Sequence, residues 1–346
     1  MPKISILGTG WGVKIQAIAF RAAGWDLHAI WGRDPAKAHA VKLEHGFAHA
    51  PASWREAMQG ADLVSITTPP MEHLEQTLAA LELGVNVLCE KPMAMNVSEA
   101  QAMVNAVRSN GPWALVDHEL RFLPVRQKMR DLIADGFIGT PRAAEVRLVG
   151  GGRADSNRPF NWWSSRALGG GVLGAAGSHV LDGLRFVLGR EATMLGARLN
   201  TAVTQLPDSS GAMQTVDSDD YAALVLDFEG VPVTVLMNVA ARHGFEDAIW
   251  VHGSEGSLVL RGGLKLEGAR TGEALQDLSP PAVTGIPNGL NSGNGFEVGT
   301  VLIAQYLRGV IESGARPADG ATLEDGLRVQ ALMDEARRLS GWAEPG

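Results

Sequence analysis

The chain is poor in cysteine: Cys89 stands alone. One thiol can neither close an intrachain disulfide nor join a zinc-ligand cluster, which excludes a disulfide-stapled scaffold and fits a reducing compartment. Long apolar runs are missing too, and none approaches the roughly 18 to 20 residues that a membrane-spanning helix needs. No charged leader, apolar core or small-residue cleavage site precedes the first apolar strand at Lys3, so a cytoplasmic location and no membrane partner are expected. Clusters of Lys and Arg are absent, and the formal net charge is -8. Phosphate backbones are held by such clusters, so nucleic acid is not an expected partner. The histidines and carboxylates show no metal-ligand spacing, so no metal is expected.

What is present is globular material: 346 residues, 45% hydrophobic and 20% charged, enough for two domains with buried cores. Lys3 to Leu7 reads as a strand, Lys14 to Ala23 as a helix, Leu27 to Trp31 as a strand and Ala36 to His45 as a helix. A helix near Ser53 to Gln59 follows, then strands at 62–67, 85–89 and 113–116 separated by helices at 74–83 and 98–109. Such alternation predicts parallel strands with right-handed crossovers, a doubly wound Rossmann sheet over residues 1–122. Beyond Phe122 come a helix, a strand at 142–148, a glycine- and tryptophan-rich stretch and a helix at 172–187. Alternating strands at 197–204, 220–228, 231–239, 248–253 and 257–260 then predict an α+β domain over 123–346, built on a large open, mostly antiparallel sheet. The overall class is α/β. Residues 279–295, rich in Pro, Gly, Asn and Ser, read as a long loop before two final helices.

Gly8-Thr9-Gly10-Trp11-Gly12-Val13 lies between the first strand and the first helix, where a dinucleotide fingerprint belongs. The first glycine permits the tight turn, the second lets backbone approach a pyrophosphate, and the helix N-terminus offers free N–H groups. Val13 replaces the third glycine, with Gly12 one place early, which predicts slightly looser packing of helix on strand. The acidic residue that usually contacts the ribose of NAD is replaced by Gly32. Arg33 follows, and its planar fork suits a 2′-phosphate, which favours NADP(H) with NAD(H) as the alternative. A solvated turn residue, or one stacked on adenine, is the competing reading of Arg33. Glu90-Lys91-Pro92 follows a strand at the carboxyl edge of the sheet, where ligands of such folds bind, although an exposed loop lysine would look the same.

Together the glycine turn, Thr68-Pro69-Pro70 with His73, Glu90-Lys91-Pro92, Arg121-Phe122 and the run Gly169 to Asp182 resemble the glucose-fructose oxidoreductase / inositol dehydrogenase (Gfo/Idh/MocA) family over nearly the whole chain. The resemblance implies a nicotinamide cofactor, a sugar, cyclitol or similar polar substrate, and a homodimer or homotetramer. It implies that Lys91 lies beside the nicotinamide with His179 as proton-transfer partner, and that Thr68, Pro69, His73 and Glu90 line the cofactor. One departure stands out: the family often carries an acid four places before the histidine, and here Ala175 occupies that place. Either His179 and Lys91 suffice, or another carboxylate such as Asp182, three residues after His179 on the same helix face, or Glu119 helps, or the usual alcohol oxidation is altered or lost. Trp162 and Trp163 either contact a ring or cover a domain junction, and Arg121 either holds an anion or closes a salt bridge between domains.

Three functions remain: a dehydrogenase or reductase acting on CH–OH groups, a glycosidase or lyase that keeps its cofactor and oxidises only transiently, and a non-catalytic NAD(P) sensor. The first uses every motif. In it Lys91 and His179 move the hydroxyl proton while the cofactor carries hydride.

Overall fold

The structure is a computed structural model and describes residues 1–342. The apolar run Lys3–Leu7 forms β1, which enters the glycine turn, a π-wound turn at Gly12–Ala17 and then α1 (Ile18–Ala22). β2 (Asp26–Trp31), α2 (Pro35–His45), α3 (Trp54–Met58), β3 (Leu63–Ile66), α4 (His73–Glu82), β4 (Asn86–Cys89), α5 (Val97–Ala106) and β5 (Ala114–Val116) complete the alternation. β1 pairs in parallel with β2 and β3, and β4 with β3 and β5. β3 is buried at every residue, as a strand covered by helices on both faces must be.

The chain then runs through α6 (Pro124–Ala134) and β6 (Pro141–Val149) to a second π-wound turn, Leu173–Gly177, that starts α7 (Ser178–Leu188). β7 (Thr193–Asn200) precedes a small hairpin of β8 (Gln205–Pro207) and β9 (Met213–Thr215). β10 (Tyr221–Phe228), β11 (Val231–Asn238), β12 (Glu246–Gly253), β13 (Gly256–Arg261), β14 (Lys265–Arg270) and β15 (Gln276–Asp277) follow. One eight-stranded sheet results, ordered β15-β14-β13-β12-β6-β11-β10-β7. Its pairings are antiparallel except for β11 with β6. The β10–β11 hairpin turns at Glu229 and Gly230, whose φ of 48° and 88° give the right-twisted two-residue turn.

The strand expected at 197–204 ends instead at Asn200. The Asp220 carboxylate accepts from Ala202 N and Val203 N and draws those amides away from a ladder. β14 escapes the alternation pattern because Gly268 replaces an inward side chain: a Cβ there would lie 2.6 Å from Leu258 Cδ2.

After an irregular stretch, α8 (Gly295–Ser313), β16 (Ala321–Thr322) and α9 (Leu323–Leu339) end the chain. Two compact units emerge: Met1–Leu123 with Ala282–Leu327, and Pro124–Pro281 with the chain from Arg328. The single body expected over 123–346 is therefore corrected, because residues 282–327 return to the first unit. Val301, Ile303, Leu307 and Val310 of α8 enter the core that holds Ile4, Ile6, Phe20 and Trp25, each such burial contributing roughly 1.5–3 kcal/mol. Trp25 Nε1 donates to Ala304 O at 2.9 Å, and β16 pairs antiparallel with β5. Helical spacing reveals that α8 has an apolar face, not which sheet that face covers. Among the described residues no helix is long and apolar enough to cross a membrane.

Candidate active site

In the first unit the glycine turn is seated on Thr67. Gly8 has φ of 128°, and a Cβ there would fall 2.3 Å from Thr67 Oγ1. A Cβ at Gly12 would lie 2.6 Å from the same oxygen and 2.7 Å from Ile6 Cγ2. The looser packing expected from Val13 is thus corrected: Gly12 makes the close approach, and the π turn, one residue longer per turn, absorbs its early position. Val13 is buried in the core. At Gly10 nothing lies within 4 Å of such a Cβ, so open space borders the turn, and Trp11 beside it is 40% exposed.

A packing reason keeps an acid away from the end of β2. A Cβ at Gly32 would meet Thr9 Cγ2 at 2.6 Å. Asp34 accepts from Ala36 N and Lys37 N as the N-cap of α2. Arg33 is mostly exposed, with Nε 3.8 Å from Glu72 Oε1. A chain of bonds runs inward from there: Gln76 Nε2 donates to Glu72 Oε2 at 3.0 Å, and Thr68 Oγ1 donates to Gln76 Oε1 at 2.7 Å. Burial raises the Glu72 carboxyl above its ordinary range, with Arg33 opposing.

Lys91 follows β4 and joins a buried polar cluster. Gln16, fully buried in the first π turn, donates to Asp117 Oδ2 at 2.9 Å and to Glu90 Oε1 at 3.2 Å. Its own oxygen accepts a short bond from Ser65 Oγ of β3. Asp117 and Glu119, both buried, come from the end of β5. Burial raises all three carboxyls; Glu90 raises Asp117 further, and Asp117 and Glu90 raise Glu119, while the Lys91 ammonium pulls each one down. Three carboxyls around one ammonium cannot all ionise cheaply, so the cluster keeps protons to higher pH than free acids do.

His73 sits under this loop, fully buried, with Nε2 2.8 Å from Thr68 O and Nδ1 3.1 Å from Pro92 O. Burial depresses it to about 4, so the ring is neutral and donates from one nitrogen only, to Thr68 O or to Pro92 O, while it packs between the end of β3 and the Lys91–Pro92 segment. The Lys91–Pro92 bond is cis. Pro69 is half-buried. Arg121 makes the salt-bridge alternative real within the first unit: Nη1 reaches Asp325 Oδ2 and Gly320 O, each at 3.2 Å.

The second unit carries His179 and Asp182, both buried on α7. The preceding turn, Leu173–Gly177, is π-wound, and Gly174 and Ala175 within it, the positions before His179, have no carboxyl. The turn itself is gripped by Asp217-Ser218-Asp219-Asp220. Leu173 N donates to Asp219 Oδ2 at 2.7 Å, Arg166 N to Asp217 Oδ1 at 2.8 Å, and Ser218 Oγ to Trp163 O at 2.9 Å. Burial lifts Asp219 to about 6. A Cβ at Gly171 would fall 2.1 Å from Asp219 Oδ1, and one at Gly170 would fall 2.4 Å from Trp163 O. Trp163 is buried and Trp162 half-buried.

Gln16, Ser65, Asp117 and the 217–220 segment escaped the sequence reading. Gln16 left one trace, a polar residue among Ile15, Ile18 and Phe20 of an otherwise apolar helix face. Among the described residues no group of His, Cys, Asp and Glu could hold a metal ion.

Family models match both parts of the chain. One described as an oxidoreductase family with an NAD-binding Rossmann fold covers residues 3–118, and one described as the GFO/IDH/MocA C-terminal domain covers 126–259. Glucose-fructose oxidoreductase domain-containing protein 2 of Xenopus laevis is 30% identical, over 98% of this chain and 91% of its own. An oxidoreductase domain protein from Kribbella flavida superposes with a TM-score of 0.87 at 27% identity, covering 99% of this chain and 98% of its own. Levoglucosan dehydrogenase in complex with NADH and levoglucosan also reaches 0.87, at 23% identity, over 98% of this chain and 97% of its own.

Proposed function

Because the chain belongs to the GFO/IDH/MocA oxidoreductase family, with its NAD-binding Rossmann fold, we propose that it moves hydride between a nicotinamide cofactor and a secondary alcohol or ketone of a sugar, cyclitol or similar small polar substrate. The observation that carries the reading is the cluster around Lys91, joined through Gln16 to the helix that follows the glycine turn. Open space over Gly10 and the helix N-terminus beyond it suit a pyrophosphate. NADP(H) is favoured over NAD(H), because Gly32 offers no acid, Asp34 is engaged as a cap and Arg33 projects into solvent.

The nicotinamide supplies the hydride acceptor or donor. During oxidation Lys91 gives its own proton to the Glu90–Asp117–Glu119 cluster and, as the free amine, takes the hydroxyl proton; reduction reverses the path. His73 holds the Lys91 segment in place. His179, with Asp182 beside it on α7, is the second proton carrier of this reading. Thr68, Pro69 and Glu90 border the cofactor seat, and Trp162 contributes a flat surface to the substrate side. Self-association as a homodimer or homotetramer through the open sheet face, where Leu195 and Val225 are exposed, belongs to the same proposal, and sedimentation checks it.

Titration with NADPH and NADH by fluorescence, followed by a screen of sugars, inositols and their keto forms at 340 nm, tests the reading. Turnover on any of them supports it. Tight cofactor binding without net absorbance change would favour transient oxidation in a glycosidase or lyase, or sensing. Absence of binding would overturn it.

A further inference from the structure

Two guanidiniums crowd one short stretch of the loop after β6. The Arg153 guanidinium carbon stands 4.0 Å from the centroid of the Trp163 ring. That ring is held in place: Trp163 O accepts from Gly171 N at 3.0 Å and from Ser218 Oγ at 2.9 Å. Arg158 folds back beside it, with Nε 3.4 Å from Arg153 O and Nη1 3.3 Å from Ser164 Oγ.

The acids nearby serve Arg158 and the backbone. Asp155 and Asp220 favour the charged form of Arg158, while Asp155 accepts from Asn157 N and Asp220 from Ala202 N and Val203 N. Among the described residues no carboxylate pairs with Arg153. Burial, with Arg158 adding to it, pushes Arg153 down to about 10. A half-buried cation facing a like charge is costly to keep unless something negative completes the site. Stacking covers one face of the guanidinium and leaves its in-plane donors free, in the fork geometry that grips a carboxylate or phosphate.

We propose that Arg153, stacked on Trp163 and backed by Arg158, recognises an anionic group on the substrate, a carboxylate or phosphate borne by a small polyhydroxy compound. The inference rests on the oxidoreductase reading and narrows its substrate class. The Gly171–Trp163 hydrogen bond ties this site to the turn that opens the His179 helix, so an anion bound here is held by the same loop-and-helix assembly.

The test uses the protein loaded with whichever of NADPH and NADH binds more tightly, and three probes of similar skeleton: D-glucose, D-glucuronate and D-glucose 6-phosphate, titrated calorimetrically. The expected result is at least tenfold tighter binding of one charged probe than of glucose, and which one wins separates carboxylate from phosphate. Arg153→Gln should erase the preference, Arg153→Lys should restore only part of it, and raising salt from 50 to 500 mM should weaken the charged probe alone. Equal binding of all three probes, or a preference that survives Arg153→Gln, overturns the proposal. In either case NADPH and NADH affinities measured on the same samples report on the oxidoreductase reading separately: binding of either leaves that reading standing, and binding of neither removes it.

Discussion

Two glycine-rich turns each open a π-wound helix start, and they serve different ends. In Gly8–Gly12 the outer glycines press on Thr67 and Ile6, while Gly10 faces open space. In Gly169–Gly171 the second and third glycines press on Trp163 O and Asp219 Oδ1. Glycine content looks alike in the two segments, yet one turn leaves open space beside its backbone and the other lets protein groups close around it. The helices differ in the same sense. The first sends Gln16 into a cluster of carboxyls, whereas the second is held at its start by Asp219, which accepts from Leu173 N, and leads into the helix that carries His179 and Asp182.

The sharpest way to break this comparison is to remove one proton carrier from each side. Lys91→Ala should lower kcat by about 10²–10⁴-fold with cofactor affinity retained, the range spanned by positioned acid–base groups. His179→Ala should cost less, and equal losses in single-turnover hydride transfer would show that the two units share the task evenly.

The glycines themselves come next. Gly171→Ala meets both a φ of 112° and the Asp219 carboxyl, and should cost about 2–4 kcal/mol in urea unfolding. Gly10→Ala should leave stability within about 1 kcal/mol while weakening NADPH and NADH at least tenfold, since the added methyl occupies the open space at the turn. A stable Gly171→Ala protein would make the second turn another open cradle.

Acidity separates Asp219 of the second unit from His73 of the first by sign. Asp219 is raised from 3.8 to about 6, so its neutral form is favoured in the fold; that stability is full below pH 3.8 and lost as pH rises through 6. Asp219→Asn should therefore stabilise by up to about 3 kcal/mol at pH 8 and by little at pH 4. His73 runs the other way: lowered from 6.5 to about 4, it contributes above pH 6.5 and loses that contribution as pH falls to 4. The stability gap between wild type and His73→Asn should shrink by up to about 3 kcal/mol over that interval. Flat pH profiles for both gaps would remove the contrast.

Smaller effects belong to the polar links. Gln16→Leu takes an N–H donor from Asp117 and Glu90, which should move the acid limb of kcat/KM upward by about one pH unit at unchanged cofactor affinity. An unmoved limb would confine Gln16 to packing. Arg33→Ala should weaken NADPH about fivefold or more and NADH little, an exposed charged contact being modest; equal losses would refute the phosphate contact.

Local patterns carried a good deal. The Rossmann series, the glycine turn, Glu90-Lys91-Pro92 and the helix of His179 are each written in contiguous residues, where hydrophobic period and turn chemistry act over a few positions. Even the cap of α2 is a local signal, Asp34 followed by Pro35. Gln16, Ser65 and Asp117 were invisible for the opposite reason. They lie 49 to 101 residues apart and meet because β1, β3, β4 and β5 end side by side at one sheet edge.

The sequence by itself determined the class of the fold, the place of the glycine turn and the lysine that follows β4, because strand–turn–helix units are encoded by neighbours. Tertiary structure alone decided that residues 282–327 complete the first unit, that Gly12 substitutes for the missing third glycine, and that a lysine stands among three carboxyls. Those outcomes depend on which apolar faces bury against one another, and on the cost of leaving a buried charge unpaired, neither of which has a period that one stretch of chain can display.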